Sequence, residues 1–290
     1  MNALRAIIVV VILAANLSSA AQQLRVATYN IRYKNANDSL QGNGWHQRYP
    51  VIAKLIQFHD FDILGTQEGQ YVQQEDLLKS LPGYTYIGGG RDDGKQGGEY
   101  ASIFYKINKF SLLKQGTFWF APVTSKPAKG WDAMYPRTCS WAQFRDKKSG
   151  FKFYFFNLHL DHVGVKARLE SAKLLLVKIK EIAGKTPVII TGDFNADQHN
   201  ETYSLLNTSE VVRDVYDLSP IRYATNGTFN QFDPSMHSTR RIDHIFVTPG
   251  FKAQRFAILG DTYFGPSTAG ATPQLRLPSD HFPAMVVLHY

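Results

Sequence analysis

The chain has 290 residues, 44% apolar and 19% charged, with 22 Gly and 13 Pro, a balance that excludes a disordered, collagenous or coiled-coil protein. Its single cysteine, Cys139, excludes an intramolecular disulfide and a cysteine-built zinc cluster, and reads as a small apolar residue. The net charge of +8 suits an anionic substrate, but the charges are spread along the chain and name no partner by themselves.

Residues 1–21 read as a secretory signal peptide. Arg5 supplies the positive start, residues 6–17 are apolar almost throughout, and Ser18-Ser19-Ala20-Ala21 permits cleavage after either alanine. The apolar run is too short to span a bilayer. The remainder, 22–290, is expected to form one domain that works outside the cytoplasm, secreted or periplasmic.

From there strands and helices alternate. Residues 24–31 read as a strand, 45–58 as a helix with Val51, Leu55 and Phe58 at helical spacing, and 61–64 as a buried strand stopping at Gly65-Thr66-Gln67-Glu68. A helix over 72–81 is closed by Pro82-Gly83, and strands follow at 84–87, 100–105, 140–144 and 151–160. The clearest helix is 165–183, with Leu169, Ala172, Leu176, Ile179 and Ala183 as one apolar stripe, Gly184 just past its end and Pro187 beyond. Strands at 187–190, 241–247 and 283–289 complete the pattern. Two long loops, 88–98 and 121–136, are of the length that is usually functional or mobile.

Polar residues gather at the strand ends. Asn30 follows the first strand, Glu68 the second, His159 and Asp161 end 153–158, and Asp193 and Asn195 end 188–192. Asp243 starts a strand, and Asp280-His281 precedes the last one. Each alone is an ordinary turn or cap residue; together they point to a site, because strand ends on one side of an α/β sheet are where sites form.

The ordered motifs Tyr29-Asn30-Ile31-Arg32, Gln67-Glu68, Asn157-Leu158-His159-Leu160-Asp161-His162, Gly192-Asp193-Phe194-Asn195, Arg241-Ile242-Asp243 and Ser279-Asp280-His281 resemble the endonuclease/exonuclease/phosphatase superfamily over essentially all of 22–290. The stretch from Arg91-Asp92-Asp93-Gly94 to Glu99-Tyr100, with Thr117-Phe118-Trp119, resembles its secreted bacterial branch, which is similar to the deadenylase-like (carbon catabolite repressor) group. The resemblance implies an α/β (α+β) four-layer sandwich, two packed mostly antiparallel β-sheets flanked by helices. It also implies Mg²⁺- or Mn²⁺-dependent hydrolysis of a phosphoric ester.

The residue types suit that chemistry. Ester hydrolysis at phosphorus needs an oriented water, neutralised phosphoryl oxygens and help for the leaving alkoxide. Mg²⁺ takes oxygen ligands and keeps several waters, so Glu68 is the natural direct ligand. Asn30 orients a water or a phosphate oxygen without adding charge. Arg32 stands where several relatives carry an acid, which favours Glu68 plus waters, with Asp280 at longer range. By the resemblance, Asp193 aligns the attacking water, Asn195 donates to the phosphate, and His159 donates to a phosphoryl oxygen or the leaving group. The bland alternative for His159 is a core histidine at a strand end. His281 needs a carboxylate to fix its ring. Neighbours on an extended segment point to opposite faces, so Asp243 is a better partner for it than Asp280. His162 either faces the phosphate or begins the following helix. Arg91 and Arg137, with Trp131, Phe229 and Arg240, either hold the substrate or are loop anchors and solvated arginines. His244 is expected to pack beside the site.

The expected function is a secreted, metal-dependent phosphodiesterase, nuclease-like, on RNA or DNA, working as a monomer without stable membrane insertion. The alternatives are an extracellular phosphatase or a phospholipid- or sphingomyelin-type phosphodiesterase, and, in another class, a non-catalytic binding module. The last predicts erosion of the metal and water-orienting positions, and Glu68, Asp193, Asn195, Asp280 and His281 are all present.

Overall fold

In the computed structural model, residues 22–265 and 272–290 are described; the expected signal peptide, residues 1–21, lies outside the described residues. The chain opens with β1 (Gln23–Asn30), α1 (Ala36–Leu40), α2 (Trp45–Phe58), β2 (Ile63–Gln70) and α3 (Tyr71–Ser80). Strands β3 (Tyr84–Ile87), β4 (Glu99–Lys106), β5 (Phe110–Trp119), β6 (Thr138–Asp146) and β7 (Lys152–His159) lead to the long helix α4 (Val165–Ala183). Then come β8 (Val188–Asp193), α5 (Glu201–Asn207), β9 (Arg213–Asp214), α6 (Val215–Leu218), β10 (Ile221–Tyr223), β11 (Asp243–Val247) and β12 (Lys252–Ile258). The last strands are β13 (Tyr263–Gly265), β14 (Gln274–Arg276) and β15 (Ala284–His289).

Two large sheets pack face to face, ordered β10-β12-β15-β1-β2-β4-β3 and β5-β6-β7-β8-β11-β9, and β13 pairs with β14 apart from them. Both large sheets are mixed. The pairs β1–β2, β10–β12 and β7–β8 are parallel, and the other pairs are antiparallel.

Side-chain alternation builds the four layers. Val26, Ile63, Phe155 and Ile189 point into the space between the sheets. Their neighbours point outward: Ala27 and Leu64 toward α2 and α3, and Phe156 and Ile190 toward α4 and α5. A central strand covered on both faces needs apolar residues at consecutive positions, which is why these segments read as continuous apolar runs. Each fully buried side chain of this size contributes about 1.5–3 kcal/mol. At the sheet interface Gly65 leaves room for Asn157 and Thr191, whose oxygens a Cβ would strike.

Two stripes differ from the sequence reading. In α4 the buried face is Arg168, Ala172, Leu175, Ile179 and Ala183, so Leu175 takes the place expected for Leu176, which is only half-buried. In α2 the buried positions are Trp45, Arg48, Ile52, Ala53, Leu55 and Ile56, while Phe58 is exposed. Gly184 closes α4 with φ +58° and ψ −116°, a positive-φ backbone that glycine adopts without a Cβ penalty. The loop 121–136 is tied to that helix from outside: Asp132 accepts from the backbone N–H of Lys166 and Ala167.

Register brings the polar ends together. Asn30 pairs with Gln67 and His159 with Asp193, each in a parallel pair, so these residues share one edge. Strand β11 runs antiparallel to β8, so its first residue, Asp243, lies opposite Asp193. Strand β15 runs antiparallel to β1 with Ala284 opposite Thr28, which leaves Asp280 and His281 beside Asn30.

Candidate active site

Asn30, fully buried, donates its amide to Glu68 Oε1 at 2.9 Å and Asp193 Oδ2 at 3.0 Å. Its amide oxygen accepts from the Arg32 backbone N–H at 3.0 Å. Glu68 sits on the irregular end of β2, where the pairing shifts between Gln67 and Gln70, and it also accepts from the Tyr33 N–H. Glu68, Arg32 and Asn195 all have positive φ, at +66°, +55° and +48°. Such backbone is costly for Glu and Arg and persists only where the surroundings hold it, a pattern typical of functional sites.

His281 is paired with Asp243, Nδ1 to Oδ2 at 2.8 Å, and its Nε2 lies 3.8 Å from Asp193 Oδ2. Burial would lower the histidine, but the charge of Asp243 and the hydrogen bond with it, aided by Asp193 and Asp280, raise it to about 10. Burial and the charge of Asp243 push Asp193 up to about 7. Burial, with Glu68 adding to it, pushes Asp280 up to about 6 against His281, Arg32 and Arg48. His159 is held well below its ordinary value by burial and by the charges of Arg137 and Arg91. A neutral His159 suits its contact, in which Asn195 Nδ2 lies 3.1 Å from Nε2. Asn195 is fixed in turn by its backbone N–H on Asp193 Oδ1 at 2.9 Å and its amide on Leu160 O at 3.0 Å.

Two groups have ligand atoms within 4.8 Å of one another: Glu68, His159 and Asp193, and Asp193, Asp243 and His281. Asp280 stands outside both and faces Arg32, whose guanidinium lies 3.4 Å from it and 4.0 Å from Glu68. A hard divalent cation fits the Glu68 side. There the carboxylates of Glu68 and Asp193 supply hard oxygen donors and His159 a ring nitrogen, all within 4.8 Å of one another.

These groups open into one cavity of about 460 Å³. Among the residues lining it are Arg32, Glu68, Arg91, Arg137, His159, His162, Asp193, Asn195, Asp280 and His281, so most of the expected site residues meet there. Asn30 and Asp243 lie beneath it, each bonded to a lining residue. Phe229 joins the lining, with its ring edge-on to His281 at 5.0 Å. Trp131 does not; it packs against the α4 side of the core. Arg240 is an exposed partner of Asp197. Asp161 turns inward, where hydrogen bonds from the Gly164 and Met134 N–H groups and the charge of Arg137 outweigh burial and hold it well below the carboxylate range. His162 precedes α4 and lies 2.9 Å from Arg137, with its ring stacked beside Tyr135. His244 packs beneath, its Nε2 2.9 Å from Ala196 O.

Sequence reasoning singled out neither Glu99 nor Tyr135. Glu99 lines the cavity bonded to Arg91 at 2.6 Å, and burial and the charge of Glu68 raise it to about 7. Tyr135 lies under Arg91, whose guanidinium is 4.7 Å from the ring centre. The Arg91-to-Glu99 stretch was its only signal, and that carried the resemblance, not a role.

The model of the Endonuclease/Exonuclease/phosphatase family matches residues 27–281. A solved endonuclease/exonuclease/phosphatase family protein of Bacteroides thetaiotaomicron is 49% identical with a TM-score of 0.91, covering 93% of this chain and 99% of that one. A mannosyl-6-phosphatase of the same organism is 50% identical with a TM-score of 0.89, covering 92% and 100%. The chain spans 60% and 26% of the two curated relatives it matches. The second is Nocturnin of Drosophila melanogaster, 24% identical over 179 residues, 58% of this chain. Family members hydrolyse phosphoric esters and generally need a divalent metal, and the oxygen-rich cluster fits that chemistry. Among the described residues no helix is long and apolar enough to cross a membrane. On sequence, register and site together, this chain belongs to the endonuclease/exonuclease/phosphatase family.

Proposed function

We propose that the protein is a divalent-metal-dependent phosphatase that releases phosphate from a phosphorylated sugar. The observation that carries the reading is the lining of the site: a half-open cavity of about 460 Å³ holds the acid–histidine cluster beside Arg32, Arg91 and Arg137. That volume is of the size that encloses a small ligand. The 50% identity to a mannosyl-6-phosphatase supports the same substrate class. This reverses the order of the two enzymatic expectations, putting the phosphatase ahead of the nuclease. The nuclease reading retains one favourable feature, the Phe229 ring on which a base could stack.

A bound Mg²⁺ or Mn²⁺, held by Glu68 with Asn30 beside it, would neutralise phosphoryl oxygens and lower the pKa of water. Asp193 orients the attacking water and takes its proton as the water oxygen bonds to phosphorus; the P–O bond to the sugar breaks, and the departing alkoxide takes a proton from solvent. His281 is charged, is held by Asp243 through Nδ1, and points Nε2 toward the Asp193 side, where it donates to a phosphoryl oxygen. Asn195, braced by Leu160 O, donates beside His159. Export is part of the proposal and rests on residues 1–21.

The test is a panel of hexose phosphates, cyclic nucleotides, oligonucleotides and phospholipids, assayed with Mg²⁺ and with EDTA. The expected result is EDTA-sensitive phosphate release, with kcat/KM on a hexose phosphate at least about 100-fold above that on any oligonucleotide, about 2.7 kcal/mol. Preferred cleavage of oligonucleotides would overturn the substrate, and EDTA-insensitive turnover would overturn the metal.

A further inference from the structure

We propose that Glu99, Arg91 and Tyr135 form the subsite for the leaving alcohol and recognise a neutral polyol through adjacent hydroxyl groups. The inference rests on the sugar-phosphate reading and adds to it the residues that select the sugar.

All three side chains line the cavity that contains Asp193 and His281. Glu99 begins β4, so a strand rather than a free loop aims its side chain. One carboxylate oxygen, Oε2, accepts from Arg91 Nη1 at 2.6 Å and lies 4.0 Å from His159 Nδ1. The other oxygen has no hydrogen-bond partner among the described residues. Arg91 is clamped as well: its backbone N–H donates to Glu99 O at 2.9 Å, and its carbonyl accepts from Trp119 Nε1 at 2.7 Å. Its Nε is buried without a hydrogen-bond partner among the described residues. The guanidinium rests on the ring of Tyr135, a residue 44% exposed overall, which also has His162 stacked beside it at 6.1 Å.

The charges choose between ligands. A second phosphate would gain from Arg91 but meet the Glu99 carboxylate, so the pair offers an anion little net attraction. A polyol uses both members. One hydroxyl donates to the open Glu99 oxygen, and its neighbour accepts from Arg91. The Tyr135 ring covers an apolar C–H face of the sugar and leaves its hydroxyls free. The subsite adjoins the catalytic groups through His159, which lies 3.7 Å from Asp193. Glu99 therefore lies across His159 from Asp193, in the same cavity as the phosphate site.

The experiment compares kcat/KM, read as released phosphate, for a hexose 6-phosphate and for ethyl phosphate, whose alcohol has neither a ring nor a second hydroxyl, in wild type, Glu99→Gln and Tyr135→Ala, with Mg²⁺. Wild type is expected to favour the hexose phosphate. Each substitution is expected to lower the ratio of hexose phosphate to ethyl phosphate by about 10- to 100-fold, the discrimination expected from losing a hydroxyl contact or a stacked face. Both substrates are read on one preparation, so a smaller folded fraction cancels in the ratio, and a merely structural role would leave it unchanged. A wild type that prefers the sugar, with variants that keep its ratio, would overturn the subsite alone. A wild type with no turnover of any hexose phosphate would overturn the sugar reading and the subsite with it.

Discussion

Asp193 and Asp243 face each other across one register pair, and His281 lies within reach of both. Two buried carboxylates at that spacing need a shared cation, and the protonated imidazole supplies one. The three side chains thus act as a unit. Asp243→Asn and His281→Ala are each expected to lower kcat by about 100-fold or more. The double variant should be little worse than either, because the second change removes a group already out of place. Steady-state kinetics on the four proteins checks this; losses that multiply would break the unit. This pairing was legible because alternation along an extended segment excludes Asp280 as the partner. The partners of Arg32 were not legible. Asp38, Glu68 and Asp280 come from three different segments, and only folding brings them to one guanidinium.

Among the elements, α2 places one residue that holds the site from behind. Arg48 is fully buried and donates to the carbonyls of Asn43, Ile31, Pro278 and Arg32. It thereby ties the end of β1 to the segment that carries Asp280 and His281. Burial lowers its pKa, opposed by the charges of Asp280 and Asp38. Arg48→Met is expected to destabilise the fold by about 3–5 kcal/mol, because four buried acceptors lose their donor. Urea unfolding measures this, and a loss below about 1 kcal/mol would show that the carbonyls find other partners. Central strands and long helices were readable from apolar runs and periodicity. Strands β5 and β12 were not, because both carry runs of exposed polar residues, Lys114 and Gln115 in one, Lys252 and Arg255 in the other. The α4 stripe was misplaced by one residue. Leu174, Leu175 and Leu176 are consecutive leucines, and propensity cannot choose which of them faces the sheet.

At the scale of the whole molecule, pH and metal binding are linked. Asp193 at about 7 and Asp280 at about 6 lie above the ordinary 3.8, so the unfolded chain ionises first and folding weakens as pH climbs through this range. His281 has a folded pKa of about 10 against 6.5, so its contribution is complete below about 6.5 and is lost as pH rises through 10. Both effects make the metal-free protein less stable with rising pH. A divalent cation held by Glu68 would sit beside Asp193, which Asn30 links to it, and so favour the ionised Asp193; it should stabilise the fold most where that carboxylate is ionised. The motifs foretold which residues would meet, since each falls at a strand end that register then aligns. They did not foretell the full lining of the cavity, because it draws on loops whose paths no periodicity fixes. The central claim, that these strand ends form one metal-dependent hydrolytic centre, is tested most directly by thermal melts of wild type and Glu68→Gln with and without Mg²⁺, at pH 8 and at pH 5.5. The account predicts that Mg²⁺ raises the wild-type Tm by about 5 °C or more at pH 8 and by less at pH 5.5, and barely moves the variant at either. A wild type unmoved by Mg²⁺ at pH 8, or a variant that rises as far as wild type, would contradict it.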